Sequence, residues 1–162
     1  MYFKQSDFFA GMAHEFVKDI MAHVEKTAYE TDDVIFREGD ETRYFYILIK
    51  GHVKLHIGGD GYTAYVINRA GECFGWSSLI DRPHFSASAV CAAPTLLMRL
   101  EKTDVRRVLK SDPHTGLIFM ERLASMIGDR LLRCYQTLAS PASLALHPTE
   151  GTGQVQETPE LA

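Results

Sequence analysis

Apolar residues change their period along this chain, and each change marks a different kind of element. Phe8, Met12, Phe16, Ile20 and Val24 recur at four-residue steps behind Ser6, a good N-cap type, which predicts one opening helix with an apolar face. From Val34 the pattern shortens. Val34-Ile35-Phe36, the run Tyr44 to Ile49, and Val53, Leu55 and Ile57 alternating with Lys54 and His56 read as strands, with turns at Glu38-Gly39-Asp40 and Lys50-Gly51. Gly58-Gly59-Asp60-Gly61 predicts a tight reversal into a strand from Tyr62 to Asn68. Two more strands are expected at Ser86 to Ala92 and Thr95 to Leu100, separated by Ala93-Pro94. Short strands at roughly ten-residue intervals imply a small barrel or jelly roll rather than a parallel α/β sheet.

Helical periodicity then returns. Thr103-Asp104 opens a brief helix with Val105, Val108 and Leu109, and Asp112-Pro113 restarts the chain as a long helix over 113–138. Leu117, Ala124, Leu131 and Leu138 are spaced by seven, and Met120, Ile127 and Cys134 form a second row, the a/d pattern of a two-stranded coiled coil. These residues are the expected homodimer interface; the other reading is a helix packed only on its own domain. Leu123 and Leu132, beside the seam, are expected to face the chain's own barrel. From Ala139 the composition shifts to Pro, Ser, Thr, Gly and Glu, so 139–162 is expected to be a disordered tail behind one folded domain at 1–138. No further helices follow that would build a helix-turn-helix, so direct contact with nucleic acid is not expected.

Composition narrows the class. With 162 residues and 46% apolar content the chain has enough material for one ordinary core. A formal charge of -4 and a pI near 6.0 argue against polyanionic partners, nucleic acid or membrane surface alike. Cys73, Cys91 and Cys134 are odd in number and widely spaced, which suggests reduced thiols in a cytoplasmic protein rather than a disulfide framework or zinc site. The N-terminus shows no basic segment followed by an apolar one, and no apolar run approaches the ~20 residues of a membrane span.

The candidate chemistry lies in Gly71-Glu72-Cys73-Phe74-Gly75-Trp76-Ser77-Ser78-Leu79. Small residues let backbone N–H groups crowd together, and a helical turn starting near Ser77 would add its positive end, so an anion can be held without lysine. Neither a nucleophile-elbow triad nor a Walker-type lysine loop is present, and His52 and His56, which share a strand face, lack the third ligand of a metal site. The chain does not read as an enzyme.

Val34-Ile35-Phe36 with Glu38-Gly39-Asp40, Phe45-Tyr46-Ile47-Leu48 with Gly51, Val53 and Leu55, and Gly71-Glu72-x-Phe74-Gly75 resemble, in order and spacing, the cyclic nucleotide-binding domain. The resemblance covers about Phe8 to Leu138 and is closest to the sensor half of catabolite activator and FNR-like bacterial regulators. It implies a double-stranded β-helix, or jelly roll, flanked by helices, a long C-terminal dimerisation helix, and a ligand pocket between roll and helix. Phe74, Gly75, Trp76, Ser77, Ser78, Arg82, Phe85, Ser86, Ala87 and Tyr135 are the ligand-binding candidates it suggests.

Two charged determinants of that family are missing. Trp76 stands where the resemblance places a glutamate for the ribose hydroxyl, and Phe85 where it places an arginine for the cyclic phosphate. Hydrogen bonds to charged groups are worth ~1.5–3 kcal/mol, so binding of cAMP or cGMP is expected to be weakened unless Arg82 or the Ser77, Ser78 and Ser86 hydroxyls compensate. Trp76 and Phe85 either fill the pocket or stack on an aromatic ligand. Glu72 reads as a turn residue. Three functions stay open on this evidence: a sensor domain for a cyclic nucleotide or another small ligand that signals to an effector protein, a ligand-free interaction module, and a haem sensor using His84.

Overall fold

The computed structural model describes residues 7–59 and 62–139. Among these, eight strands, β1 Glu25–Tyr29, β2 Val34–Phe36, β3 Tyr44–Lys50, β4 Val53–Ile57, β5 Tyr62–Ile67, β6 Cys73–Phe74, β7 Ser88–Cys91 and β8 Thr95–Glu101, form two antiparallel four-stranded sheets. The sheet orders are β1-β8-β3-β6 and β2-β7-β4-β5, and together they make the expected jelly roll. Three helices flank it: α1 His14–Ala22, α2 Lys102–Ser111 and α3 Pro113–Leu138.

β3 explains why the run from Tyr44 is apolar at successive positions. Phe45 and Ile47 belong to a core shared with Phe16, Val105 and Phe119 of the helices, whereas Tyr46 and Leu48 face Phe36, Val53 and Phe74 inside the roll. A strand covered on both faces loses its polar alternation. Phe119 and Leu123 hold α3 against the helix-side core, and the start of α3 is secured by Asp112, whose carboxylate accepts the Thr115 N–H at 3.1 Å, with Pro113 in the first turn.

The opening helix is not continuous. Asp7–Phe9 form a single 3-10 turn, Gly11 takes φ +83°, and Ala13 is extended at ψ 138°, so α1 begins only at His14. Phe8 then packs edge-on against Phe119, with ring centroids 5.0 Å apart, which makes the aromatic pair Phe8-Phe9 a wedge beneath α3 rather than a helical turn. Val24 leads into β1, a strand the periodicity did not reveal. Its sequence is largely polar because it is an edge strand paired only with β8, and Arg99 there meets Glu25 at 2.7 Å.

Smaller differences follow the hydrogen-bond ladder. β5 stops at Ile67, β7 is confined to Ser88–Cys91, β8 runs on to Glu101, and α2 begins at Lys102 without a side-chain cap. Leu123 is buried against the barrel as expected, but Leu132 is 59% exposed and faces away from it. Leu117, Ala124, Leu131 and Leu138 form an exposed row on α3, while Met120 and Ile127 pack partly against the helix-side core and Cys134 is half-buried. Ser6, Asp60, Gly61 and the proposed tail from residue 140 lie outside the described residues; Ala139 is the C-cap of α3. Among the described residues no helix is long and apolar enough to cross a membrane.

Candidate ligand-binding site

The segment that enters the site is locked by Glu72. Its carboxylate accepts the backbone N–H groups of Asn68 at 3.0 Å and Arg69 at 2.9 Å and the Tyr65 hydroxyl at 3.1 Å, which agrees with its reading as a turn residue. β6 pairs with β3, and the Phe74 ring stacks on Tyr46 at 5.1 Å. Gly75 follows at φ +71°. A Cβ there would lie 2.8 Å from the Tyr46 ring and 3.1 Å from the Tyr44 carbonyl oxygen, so both the backbone and the space call for glycine.

The 3-10 turn Trp76–Ser78 stands where a helical turn was expected, but part of the expected anion cradle is already engaged. The Ser78 N–H donates to the Gly75 carbonyl at 3.1 Å, the Ser78 hydroxyl donates to the same oxygen at 2.8 Å, and the Leu79 N–H donates to the Trp76 carbonyl at 2.9 Å. Ser78 therefore turns its donors into the turn and does not reach a ligand.

Beyond this turn lies a cavity of about 320 Å³. Phe36, Leu55 and Tyr65 of the roll form its floor, the turn supplies Gly75, Trp76 and Ser77, the following loop supplies Phe85, Ser86 and Ala87, and α3 covers it with Ile127, Arg130, Leu131 and Cys134. That volume lies at the lower end of the roughly 300–1,000 Å³ typical of small-molecule sites. Phe85 is 5% exposed and stacks on Phe36 at 3.8 Å with the rings 14° apart. It is a wall of the cavity rather than a plug.

The remaining sequence candidates sit elsewhere. Phe74 and Ser78 are buried beside the cavity without lining it; Arg82 is exposed on the loop, where its carbonyl oxygen accepts the Thr42 hydroxyl at 2.8 Å. Tyr135 is 55% exposed and is not among the residues that line the cavity. His84 is exposed, and its backbone pairs with that of Glu41 in an isolated antiparallel bridge. Among the described residues no three His, Cys, Asp or Glu side chains are grouped so as to hold a metal ion.

Sequence reasoning missed Arg130. It is 8% exposed, its Nη2 donates to the Cys73 carbonyl and lies 3.7 Å from Met126 Sδ, and its guanidinium sits 4.8 Å from the centre of the Tyr65 ring. Its Nε and Nη1 are buried with no hydrogen-bond partner among the described residues. Burial also pushes the Cys73 thiol well above its ordinary range, with Arg130 opposing part of that rise. A signal was present: Arg130 falls seven residues after Leu123 and eleven after Phe119, on the face of α3 that meets the barrel. A charge on that stripe is a position to question.

A model of the cyclic nucleotide-binding domain matches residues 26–112, more than half of the chain. The chain belongs to this family. The match ends at Asp112, so α3 lies outside it. Among curated family members, the cyclic AMP receptor protein of Thermus thermophilus is 31% identical over 131 residues, covering 79% of this chain and 58% of that protein. The beta-1 cyclic nucleotide-gated channel of Bos taurus is 26% identical over 147 residues, yet this chain spans only 10% of its length. Among solved structures, a protein from Geobacter metallireducens GS-15 assigned as cyclic nucleotide-binding aligns with TM-score 0.70 and 28% identity, covering 78% of this chain and 92% of that one. The Thermus thermophilus catabolite activator protein aligns with TM-score 0.65 and 28% identity, covering 81% and 61%. The family is one of regulatory cyclic nucleotide-binding domains built on the same jelly roll.

Proposed function

We propose that this chain is a non-catalytic regulatory domain that binds a small ligand in the cavity between the 75–87 segment and α3, and that binding changes how α3 is held. The observation that carries this reading is the shared lining: one ligand would touch Trp76 and Ser77 of the turn together with Ile127 and Leu131 of α3. A ligand shifts a conformational equilibrium only through differential contact with its states, and a helix that forms one wall of the site provides that difference. The ligand is cAMP, cGMP or another small molecule; the Thermus relative is named for cyclic AMP, whereas Phe85 and Trp76 here replace the charged groups the resemblance implies.

The domain spans the roll and α3 to Leu138, acts in the cytoplasm, and pairs with a second copy through the exposed row Leu117, Ala124, Leu131 and Leu138, with Met120, Ile127 and Cys134 beside it. Output passes to an effector protein rather than directly to nucleic acid or membrane. A second reading, an interaction module without ligand, is favoured by the Phe85–Phe36 stack at the position where an arginine would face a phosphate.

Thermal unfolding with millimolar cAMP or cGMP, together with native mass spectrometry of the purified protein, separates the two. A ligand at a hundredfold its Kd adds about 2.7 kcal/mol, which is several degrees in Tm. A stabilising nucleotide or a copurified small molecule supports the sensor. An unshifted Tm with both nucleotides and a bare polypeptide mass supports the module.

A further inference from the structure

The geometry points to Arg130 as the anion anchor of this cavity, and hence to a ligand made of one anionic group on a flat apolar body. The inference rests on the ligand-binding reading above and specifies what the cavity takes. Burying a guanidinium is costly unless its donors are met, and native proteins leave few buried donors unmet. Arg130 is more than nine-tenths buried, yet only Nη2 finds an acceptor, while Nε and Nη1 have none among the described residues. The residue lines the cavity beneath the 75–87 segment. Nε and Nη1 are covered in this conformation, so a carboxylate or phosphate in the cavity supplies the acceptors they lack once the guanidinium turns from the Tyr65 ring toward it, as a charge-assisted pair.

The surroundings select the rest of the ligand. The cavity that Arg130 lines is walled largely by Phe36, Leu55, Trp76, Phe85 and Ile127, with no carboxylate among the described lining residues. On its other side Arg130 borders a second cavity of about 300 Å³, whose wall mixes Glu72 and Asp129 with Arg69, Arg122 and Arg133, so that Arg130 is one of several charges there. On the apolar side Arg130 is the only charged group among the described lining residues, so an anion that enters there pairs with it alone, and the aromatic walls favour a planar body. In this arrangement α3 carries the anchor that the 75–87 loop lacks at Phe85, so capture of the anion acts directly on the helix. Two sources share this chemistry: a cyclic nucleotide, with one phosphate charge on a purine, and an aromatic carboxylate.

Isothermal titration with cAMP, 2-naphthoate and its uncharged counterpart 2-naphthamide tests the assignment on the full chain, alongside Arg130→Gln and Arg130→Lys. The expected result is that naphthoate or cAMP binds, that naphthamide binds at least tenfold more weakly than naphthoate, and that Arg130→Gln loses about 10- to 100-fold in affinity for the anion while Arg130→Lys recovers part of it. Preference for cAMP or for naphthoate identifies the source. If Arg130→Gln fails to fold, the naphthoate and naphthamide comparison on the unaltered protein decides. Equal binding of acid and amide, or anion affinity unchanged in a folded Arg130→Gln, overturns the anchor and leaves the cavity a ligand site. Failure of all three probes at millimolar concentration overturns the proposed ligand class; the ligand-binding reading then stands or falls on the copurified mass.

Discussion

Phe85 shows how one residue redirects the chemistry of a site without disturbing the fold around it. Where the resemblance places a phosphate-binding arginine, this chain puts a ring that stacks on Phe36 and joins the core between the sheets. Truncating a buried phenylalanine typically costs about 3–5 kcal/mol, so Phe85→Ala should lower the unfolding free energy by that much, read as a lower urea midpoint at an unchanged m-value. A loss below about 1 kcal/mol would mean the ring is a loose cover over the cavity. Phe85 and Trp76 were legible as departures from a family pattern. Arg130 showed only as a charge on the stripe of Phe119 and Leu123, and because an arginine in a long amphipathic helix ordinarily reads as part of the solvated face, it took the packing of α3 to show this one turned inward.

Among the elements, α3 carries the most separate roles. Thr115, Phe119, Leu123 and Arg130 face the barrel, Ile127, Leu131 and Cys134 close the cavity, and Leu117, Ala124 and Leu138 remain on the outside. Leu131 belongs to both the cavity and the outer row, so its substitution would mix two effects. Leu117, 59% exposed and remote from the cavity lining, tests the pairing cleanly. Leu117→Glu should convert a dimeric sedimentation mass to a monomeric one while leaving the thermal unfolding of the single chain nearly unchanged, because the new carboxylate is buried only in the pair. A variant that sediments like the parent would remove the heptad interface from consideration. The start of α3 was readable from Asp112-Pro113, since capping is a local interaction. α1 was misjudged because four-residue spacing does not reveal that Gly11 and Ala13 leave the helical region, and β1 was missed because an edge strand needs little apolar content.

At the scale of the whole molecule, roll and helix together wall the candidate ligand cavity, and the cysteines report on it. Cys73 and Cys91 are buried, with thiols pushed up chiefly by desolvation, whereas Cys134 is partly exposed and lines the cavity. Near neutral pH iodoacetamide should label Cys134 first, with Cys73 and Cys91 reacting only on unfolding, and a bound ligand should slow that labelling; rapid modification of Cys73 in the native protein would contradict the packing. What the sequence determined by itself is what local chemistry dictates: the strand rhythm, the glycine turns, the capped long helix, the family pattern and the loss of its two charged residues. Tertiary structure alone decided which of the candidates meet, that Ser78, Arg82 and Tyr135 stand outside the cavity, and that Arg130 stands within its wall. The physical reason is that periodicity encodes which face of an element is apolar, whereas the partner of that face is set by long-range packing that no short window of sequence contains.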